Sequence, residues 1–479
     1  MKIPKIKAKP LSPKSGQVRR YKGARPTRLA RFTTSDLTRM EANRLDLMGM
    51  VRHSRFLAEN NDYFRSFQLM CRRHIPGPQG IRLRPMAMNA VGRLDKPDNT
   101  LHSRVFKQWS KRGNCTVCGR FSLVDVQHQV AMMTPRDGGF FVRHFMGRQY
   151  GPFGYQFQIL TIDRLALDMM REFRDGGYIN GGVECDADDR VLAYHFYRHQ
   201  PGSQYRRLGE TIRIPANDIT YVGVIEDYST HLAMPWGFTA VSRLNGLEGF
   251  EEAALTAARA GAAKMGFYSA PHADIDQSAD DPTLEEIEAG QIEKLPAGWD
   301  FKQFDPGYPD GESPLFVKLM LRGAAAGMGA SYNGLAGDLE GTNFSSLHVG
   351  RDEERNEWRI HQHWFAEHFL DVIHEKWLPM AIVSNQLPFP MSKLEKFREV
   401  SWKGRGWVAV DPVKQSNADI ADIGAGLNSP QRVVEARGGD YQEILQEIAE
   451  ARDLARESGL TFDPKLIPIN VLPASDESQ

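Results

Sequence analysis

The sequence predicts an α+β protein in which a β-rich middle is flanked by long helices. Three observations predict it. Between about Phe121 and Glu226 lie short β-branched and aromatic runs, "GGFFVRHFMG", "YQFQILTI", "VLAYHFYRH" and "TIRIPANDITYVGVI", separated by Gly, Pro and Asp. Leu244 to Phe267 is Ala-rich, the composition of a helix. Phe344 to Leu378 carries Phe344, Leu347, Trp358, Phe365, Val372 and Ile373 near heptad spacing, which predicts one helix on the order of 50 Å long.

At 479 residues the chain exceeds the size at which a single core stops growing, so two or more structural regions are expected. Its 41% hydrophobic and 25% charged content is that of an ordinary globular protein. Sixty basic residues balance sixty acidic ones, so net charge gives no argument for general nucleic-acid affinity. The charge is unevenly spread. Met1 to Ser35 holds eleven Lys or Arg, no Asp or Glu, and Pro4, Pro10, Pro13 and Pro26. This basic arm reads as a solvated tail or as a contact for an anionic partner. Four cysteines are too few for a disulfide scaffold. With no apolar signal region and no run of eighteen apolar residues, the chain is expected in a reducing cytoplasm, without a membrane span.

Taken in order, Arg39 to Arg72 reads as helical, with Leu45, Met48, Val51 and Phe56 facing inward. "GYINGGVECDADDRVLAYHF" reads as two strands joined by a tight acidic turn. In the Ala-rich helix, Ala253, Ala254, Ala257, Ala258, Gly261 and Ala262 form a face that lets another backbone approach closely. Ser269 to Ser313 is acidic and irregular, and "PLFVKLMLRGAAAG" is a second helix. Next comes a loop with Gly329, Gly334, Gly337 and Gly341, which reads as a flexible hinge before the long helix. A last helical stretch, Gln415 to Leu460, is amphipathic through Tyr441, Leu445, Ile448 and Leu454.

Chemical motifs are sparse. A phosphate-binding P-loop needs Lys directly after its last Gly, and the chain has no Gly-Lys dipeptide. Cys115 and Cys118 form one CxxC; zinc would need two further ligands, for which Cys71 and His74 are the local candidates. Otherwise the motif is a loop between helix and sheet. His361, His363, His368, Asp371 and His374 lack HExxH spacing and read as a titratable solvent or lumen face. Asp186, Asp188 and Asp189 lack the glycine and distal Glu of a calcium loop and read as a hairpin turn. No GxSxG nucleophile is present. Neither catalysis, metal nor cofactor is expected.

Several stretches together resemble the lambda-type family of tailed-phage portal proteins. They include "NNDYFRSF" from Asn60, "FKQWSKRGNCTVCGRFSLVDVQ" from Phe106, "RIPANDITYVGVIEDY" from Arg213 and "LRGAAAGMGASYNGLAGDLEGTNFSSLHVGRDEER" from Leu321. The most specific are Asp338 followed by Asn343-Phe344-Ser345-Ser346, and the closing "DP…GLNS…GGDY". The resemblance implies a portal fold, assembled as a homo-oligomeric ring of about twelve subunits. Such a ring occupies one capsid vertex of the virion, after assembly in the host cytoplasm. Terminase drives double-stranded DNA through it without sequence preference. Its implied partners are the terminase large subunit, a head-completion or adaptor protein, and the major capsid and scaffold proteins.

The implied layout is a basic arm (1–39), a wing (40–243), a stem helix (244–268), a clip (269–313), a second stem helix (314–329), a tunnel loop (330–345), a long wing helix with following strands (346–412), and a crown with its tail (413–479). Ser331, Tyr332, Asn333, Asp338, Glu340, Thr342 and Asn343 would then face the channel. Ala254, Ala257, Ala258 and Gly261 would pack the stem, and Asp274, Asp276, Asp280, Asp281, Glu285 and Glu286 would dock partners at the clip. Two other readings remain: another head–tail connector or minor capsid protein, and a zinc-dependent packaging enzyme built on the CxxC and the His-rich helix.

Overall fold

Helix α1 (Arg39–Asn60) starts where the Thr38 side chain accepts the backbone N–H of Glu41, and Asn61 caps α2 (Asp62–His74) by accepting from Phe64. The predicted single stretch is therefore two helices. In this computed structural model the described residues are 37–199, 210–262, 266–269, 300–303, 313–340, 344–407, 411–439 and 441–458. The basic arm before residue 37 and the tail after residue 458 lie outside them. The buried stripe of α1 is Leu47, Val51, Ser54 and Leu57. Leu45 and Phe56, predicted inward, are exposed, because they stand two residues, roughly 200°, away from that stripe.

Strand β1 (Arg82–Pro85) and α3 (Lys96–Trp109) follow, then α4 (Leu123–Asp137). The last corrects the expected β character from Phe121: Ser122 and Asp125 form a reciprocal capping box that starts a helix instead. β2 (Gly139–Met146), β3 (Tyr155–Thr161), β4 (Met170–Glu172), β5 (Tyr178–Asn180), β6 (Val183–Cys185), β7 (Val191–Tyr197), β8 (Thr211–Pro215) and β9 (Ile219–Gly223) make two antiparallel sheets. Their orders are β3-β2-β9 and β4-β5-β6-β7-β8. The stretch expected as two strands is three, since Gly181 and Gly182 both take positive φ and turn a hairpin of their own. The acidic loop behaves as expected: the Asp186 carboxylate accepts the N–H groups of Asp188 and Arg190.

Successive residues of a strand face opposite ways, and β2 uses this to separate two cores. Phe140 meets Phe369 edge-on at 5.4 Å in the larger core, while Phe141 meets Phe196 at 4.9 Å in the smaller one.

Helix α5 (Val241–Ala262) is followed by β10 (Gly266–Ser269) and β11 (Asp300–Gln303), which pair antiparallel. The acidic excursion is thus closed by a ribbon. Its interior, with Asp274, Asp276, Asp280, Asp281, Glu285 and Glu286, lies outside the described residues. After α6 (Ser313–Gly327) and α7 (Tyr332–Ala336) come α8 (Phe344–Phe365), a π-helical turn over 366–371 and α9 (Val372–Val383). The predicted long helix is present and runs about 60 Å. Trp358, Phe365, Phe369, Ile373 and Trp377 are buried along it.

Short α10 (Leu394–Arg398) leads to β12 (Val400–Lys403), which pairs with β1. The closing stretch is three helices, α11 (Pro412–Gly424), α12 (Pro430–Ala436) and α13 (Tyr441–Glu457); Asp411 and Ser429 cap the first two. Leu445 and Leu454, expected on a packed face, are exposed, and the buried residue of α13 is Ala455. No described helix is long and apolar enough to cross a membrane.

Burial holds the imidazoles of His74, His102 and His144 at about 4 and keeps His374 well below its ordinary value. His374 Nε2 lies 3.1 Å from His102 Nε2, one nitrogen donating and the other accepting, so the pair is held neutral. The unfolded chain binds more protons between about pH 6.5 and 4, so this stabilisation is present above 6.5 and lost as pH falls. The thermal midpoint should drop between pH 7 and pH 5. A midpoint that is flat over that interval would contradict the neutral-histidine core.

Candidate functional site

The helical hairpin α5–α6 and the segment after it are packed from small residues outward. Ala324 and Ala325 of α6 are buried, and Thr239, just before α5, donates its hydroxyl to the Gly327 carbonyl at 3.2 Å. Gly323 leaves the space that the Arg243 side chain occupies. Phe250 and Phe316 meet at 4.7 Å across the hairpin. Of the small residues singled out in α5, Ala254 and Ala257 are half-buried and Ala258 is exposed; the surroundings of Gly261 are outside the description. On the same hairpin Leu255, Leu315 and Leu319 are 52%, 52% and 55% exposed.

The segment expected as a flexible hinge is instead a capped turn of helix, which corrects that reading. Ser331 caps α7, its Oγ accepting the Gly334 N–H at 3.1 Å and donating to Glu354 Oε2 on α8 at 2.8 Å. Leu335 is buried, and Gly337 ends the helix in the left-handed conformation at φ 68°. Asp338 then fastens the exit. Its carboxylate accepts the Tyr332 hydroxyl at 2.8 Å, the Lys318 ammonium at 3.1 Å and the Glu340 N–H at 2.8 Å.

These bonds, the tyrosine's first, hold the Asp338 carboxyl down at about 2, while burial and the same carboxylate push the Tyr332 phenol up to about 12. Lys318 and Arg322 flank the Tyr332 ring at 5.5 and 5.6 Å. Ser331, Tyr332 and Asn333 are partly buried and serve the turn itself, whereas Gly337, Leu339 and Glu340 are the exposed tip. Thr342 and Asn343 lie outside the described residues.

The other sequence candidates separate in space. Cys115 is buried, its thiol donating to the Ser110 and Phe121 carbonyls and pushed up to about 12 by burial; Cys118 is exposed. Cys71 is buried in the larger core, while His74 stacks on Trp358 at 5.2 Å. The expected titratable face holds for His363 and His368, which are exposed on either side of Glu367, and fails for the other three groups of the His-rich helix. His361 stacks on Trp236 at 4.5 Å, His363 is exposed, His374 is buried against His102, and Asp371 accepts the Trp402 indole N–H. Among the described residues no three His, Cys, Asp or Glu side chains converge as metal ligands.

A family model described as "Phage portal protein, lambda family" matches residues 25–362. The probable portal protein of Halomonas phage phiHAP-1 is 30% identical over 458 residues, 92% of this chain and 88% of that one. The chain belongs to the lambda family of phage portal proteins. Portal protein B of Escherichia phage lambda is 28% identical over 154 residues, 30% of this portal chain and 29% of that protein. A solved structure, the neck of an empty GTA particle computed with C6 symmetry, aligns with 14% identity over 82% of this chain and 93% of its own, at a TM-score of 0.44.

What sequence reasoning missed at this site is the pairing of Lys318 with Asp338, twenty residues apart. The local signal that could be read was Ser331 before Tyr332 and Gly337 after Ala336, an N-cap and a left-handed C-cap around one turn. Replacing Asp338 with Ala should raise hydrogen exchange at the amides of Gly334 through Glu340 while leaving the thermal midpoint nearly unchanged. Exchange that matched the parent would remove the anchoring role.

Proposed function

We propose that this portal chain works as a non-catalytic ring, with α5 and α6 as stem and the Gly337–Glu340 tip reaching toward a central channel for double-stranded DNA. The observation that carries the reading is the apolar face of the α5–α6 hairpin. Leu255, Leu315 and Leu319 stand exposed on a single chain, on helices that also bury Leu244, Leu247, Leu321, Ala324 and Ala325. Large apolar side chains left exposed on one hairpin are a surface that a partner would cover. One repeated head-to-tail contact between copies would cover it and close a ring.

Zero net charge suits such a conduit, because each fixed cation facing DNA would bind phosphate by releasing counterions and slow its passage. Lys318 and Asp338 neutralise one another beside the tip, which leaves Glu340 to face phosphate by repulsion. The segment between β10 and β11 is the proposed clip, where the terminase large subunit and later an adaptor dock. The strands and helices before α5 form the proposed wing toward the major capsid and scaffold proteins, and α11 to α13 form the proposed crown. The place of action is the portal vertex of the virion, reached from the host cytoplasm.

Class averages of the purified protein in negative stain should show rings with a central hole. A compact particle of about the mass of one chain would overturn the ring reading.

A further inference from the structure

A cleft of about 850 Å³ opens where α2 ends, beside the β1–β12 ribbon and the loop after it. Arg72, Arg73, Arg82, Arg355, Lys403 and Arg405 line it, and among the described residues its wall holds no carboxylate. Arg355 reaches Asp352 at 3.2 Å, Arg437 at the rim reaches Asp419 at 2.6 Å, and Lys403 donates to the Gly439 carbonyl at 3.1 Å. Arg82 sits directly opposite Lys403 in the antiparallel register, a like-charge pair that costs stability in a sheet. Arg405 is held below its ordinary value by burial and by Arg73 and Arg355.

The cleft is also built rather than incidental. Gln362 of α8 donates to the His74 and Arg405 carbonyls at 2.7 and 3.1 Å, and Arg405 donates to the Arg73 carbonyl at 2.7 Å. Trp407 donates to His74 Nδ1 at 3.3 Å. A Cβ on Gly77 would lie 2.8 Å from the Arg405 Cβ, so a glycine is needed for the two rims to meet. A second cleft of about 680 Å³ lies against the same ribbon and shares Arg82 and Lys403. It adds Arg84, which pairs with Glu435, and Lys96, with Glu443 among its lining residues. The positive surface is therefore a track, not a single pocket.

We propose that this track binds the phosphodiester backbone of nucleic acid, at a site separate from the stem and the tip of the loop. Guanidinium forks fit phosphate oxygens two at a time, which explains the excess of Arg over Lys. A charge that repeats along a polymer matches a track better than an isolated anion does. The proposal rests on the conduit reading only for the presence of DNA beside the ring; the contact itself is a property of the purified chain.

The test is fluorescence anisotropy of a labelled 20-base-pair duplex with the full chain, at several salt concentrations. The double variant Arg72→Ala/Arg82→Ala removes two exposed cations of the track; Arg52→Ala/Lys111→Ala removes two exposed cations elsewhere and serves as control. The track variant should bind on the order of tenfold more weakly in 0.1 M salt, with the slope of log affinity against log salt reduced by roughly two. The control should keep the parental slope. Equal loss in both variants, or none in the track variant, would overturn the proposal. Polyglutamate displacing the duplex as well as unlabelled DNA does would overturn it in favour of an acidic protein segment. Inorganic phosphate displacing it at micromolar concentration and fixed ionic strength would overturn it in favour of a free-anion site. Ring formation by each variant, scored in negative stain, keeps a failure of this proposal distinct from a failure of the ring reading.

Discussion

The long helix that runs through α8, the π-helical turn and α9 is the constraint on which the other parts depend. Six contacts along it tie the fold together. Glu354 receives the Ser331 cap of α7, Trp358 stacks on His74 at the end of α2, and His361 stacks on Trp236 ahead of α5. Farther along, Phe369 meets Phe140 of β2, Asp371 accepts from Trp402 of β12, and His374 joins His102 of α3. Truncating one of its buried aromatics to Ala would cost about 3–5 kcal/mol, a large part of the stability of a typical domain. The π-helical turn itself carries the contacts to the sheet, through Phe369, and to β12, through Asp371, and its extra residue per turn re-aims the face that follows.

That spine also explains why the loop beside the stem is fixed and not slack. Its start is bonded to α8 through Glu354, and its end is bonded to α6 through Lys318. A displacement of either helix would therefore move the exposed Gly337–Glu340 tip with it. In the proposed ring, the same lever would link the outer parts of each copy to the channel wall.

Much of this was legible in the sequence because local patterns suffice for it. Period-2 aromatic runs gave β2, β3 and β7, and Ala-rich composition gave α5 and α6. Phase was less legible. Leu45 and Phe56 were placed inward because apolarity alone does not say which of two stripes faces the core. The start of α4 was readable in Ser122 and Asp125 but was outweighed by the strands that follow. The candidate loop was least legible: its glycines predict mobility, and the carboxylate that cancels it answers to a lysine on another helix. His374 was assigned to solvent for the same reason, since its partner His102 is 272 residues away in sequence.

The open apolar face of α5–α6 is the feature on which the proposed assembly stands, and its coverage can be measured directly. A Leu319→Cys variant is treated with a maleimide and the modified positions are read by mass spectrometry, with exposed Cys118 as the internal reference. In the assembled fraction position 319 should be protected relative to Cys118, and in a dissociated fraction it should label readily. Equal labelling of position 319 in both fractions would contradict the burial of this face between copies.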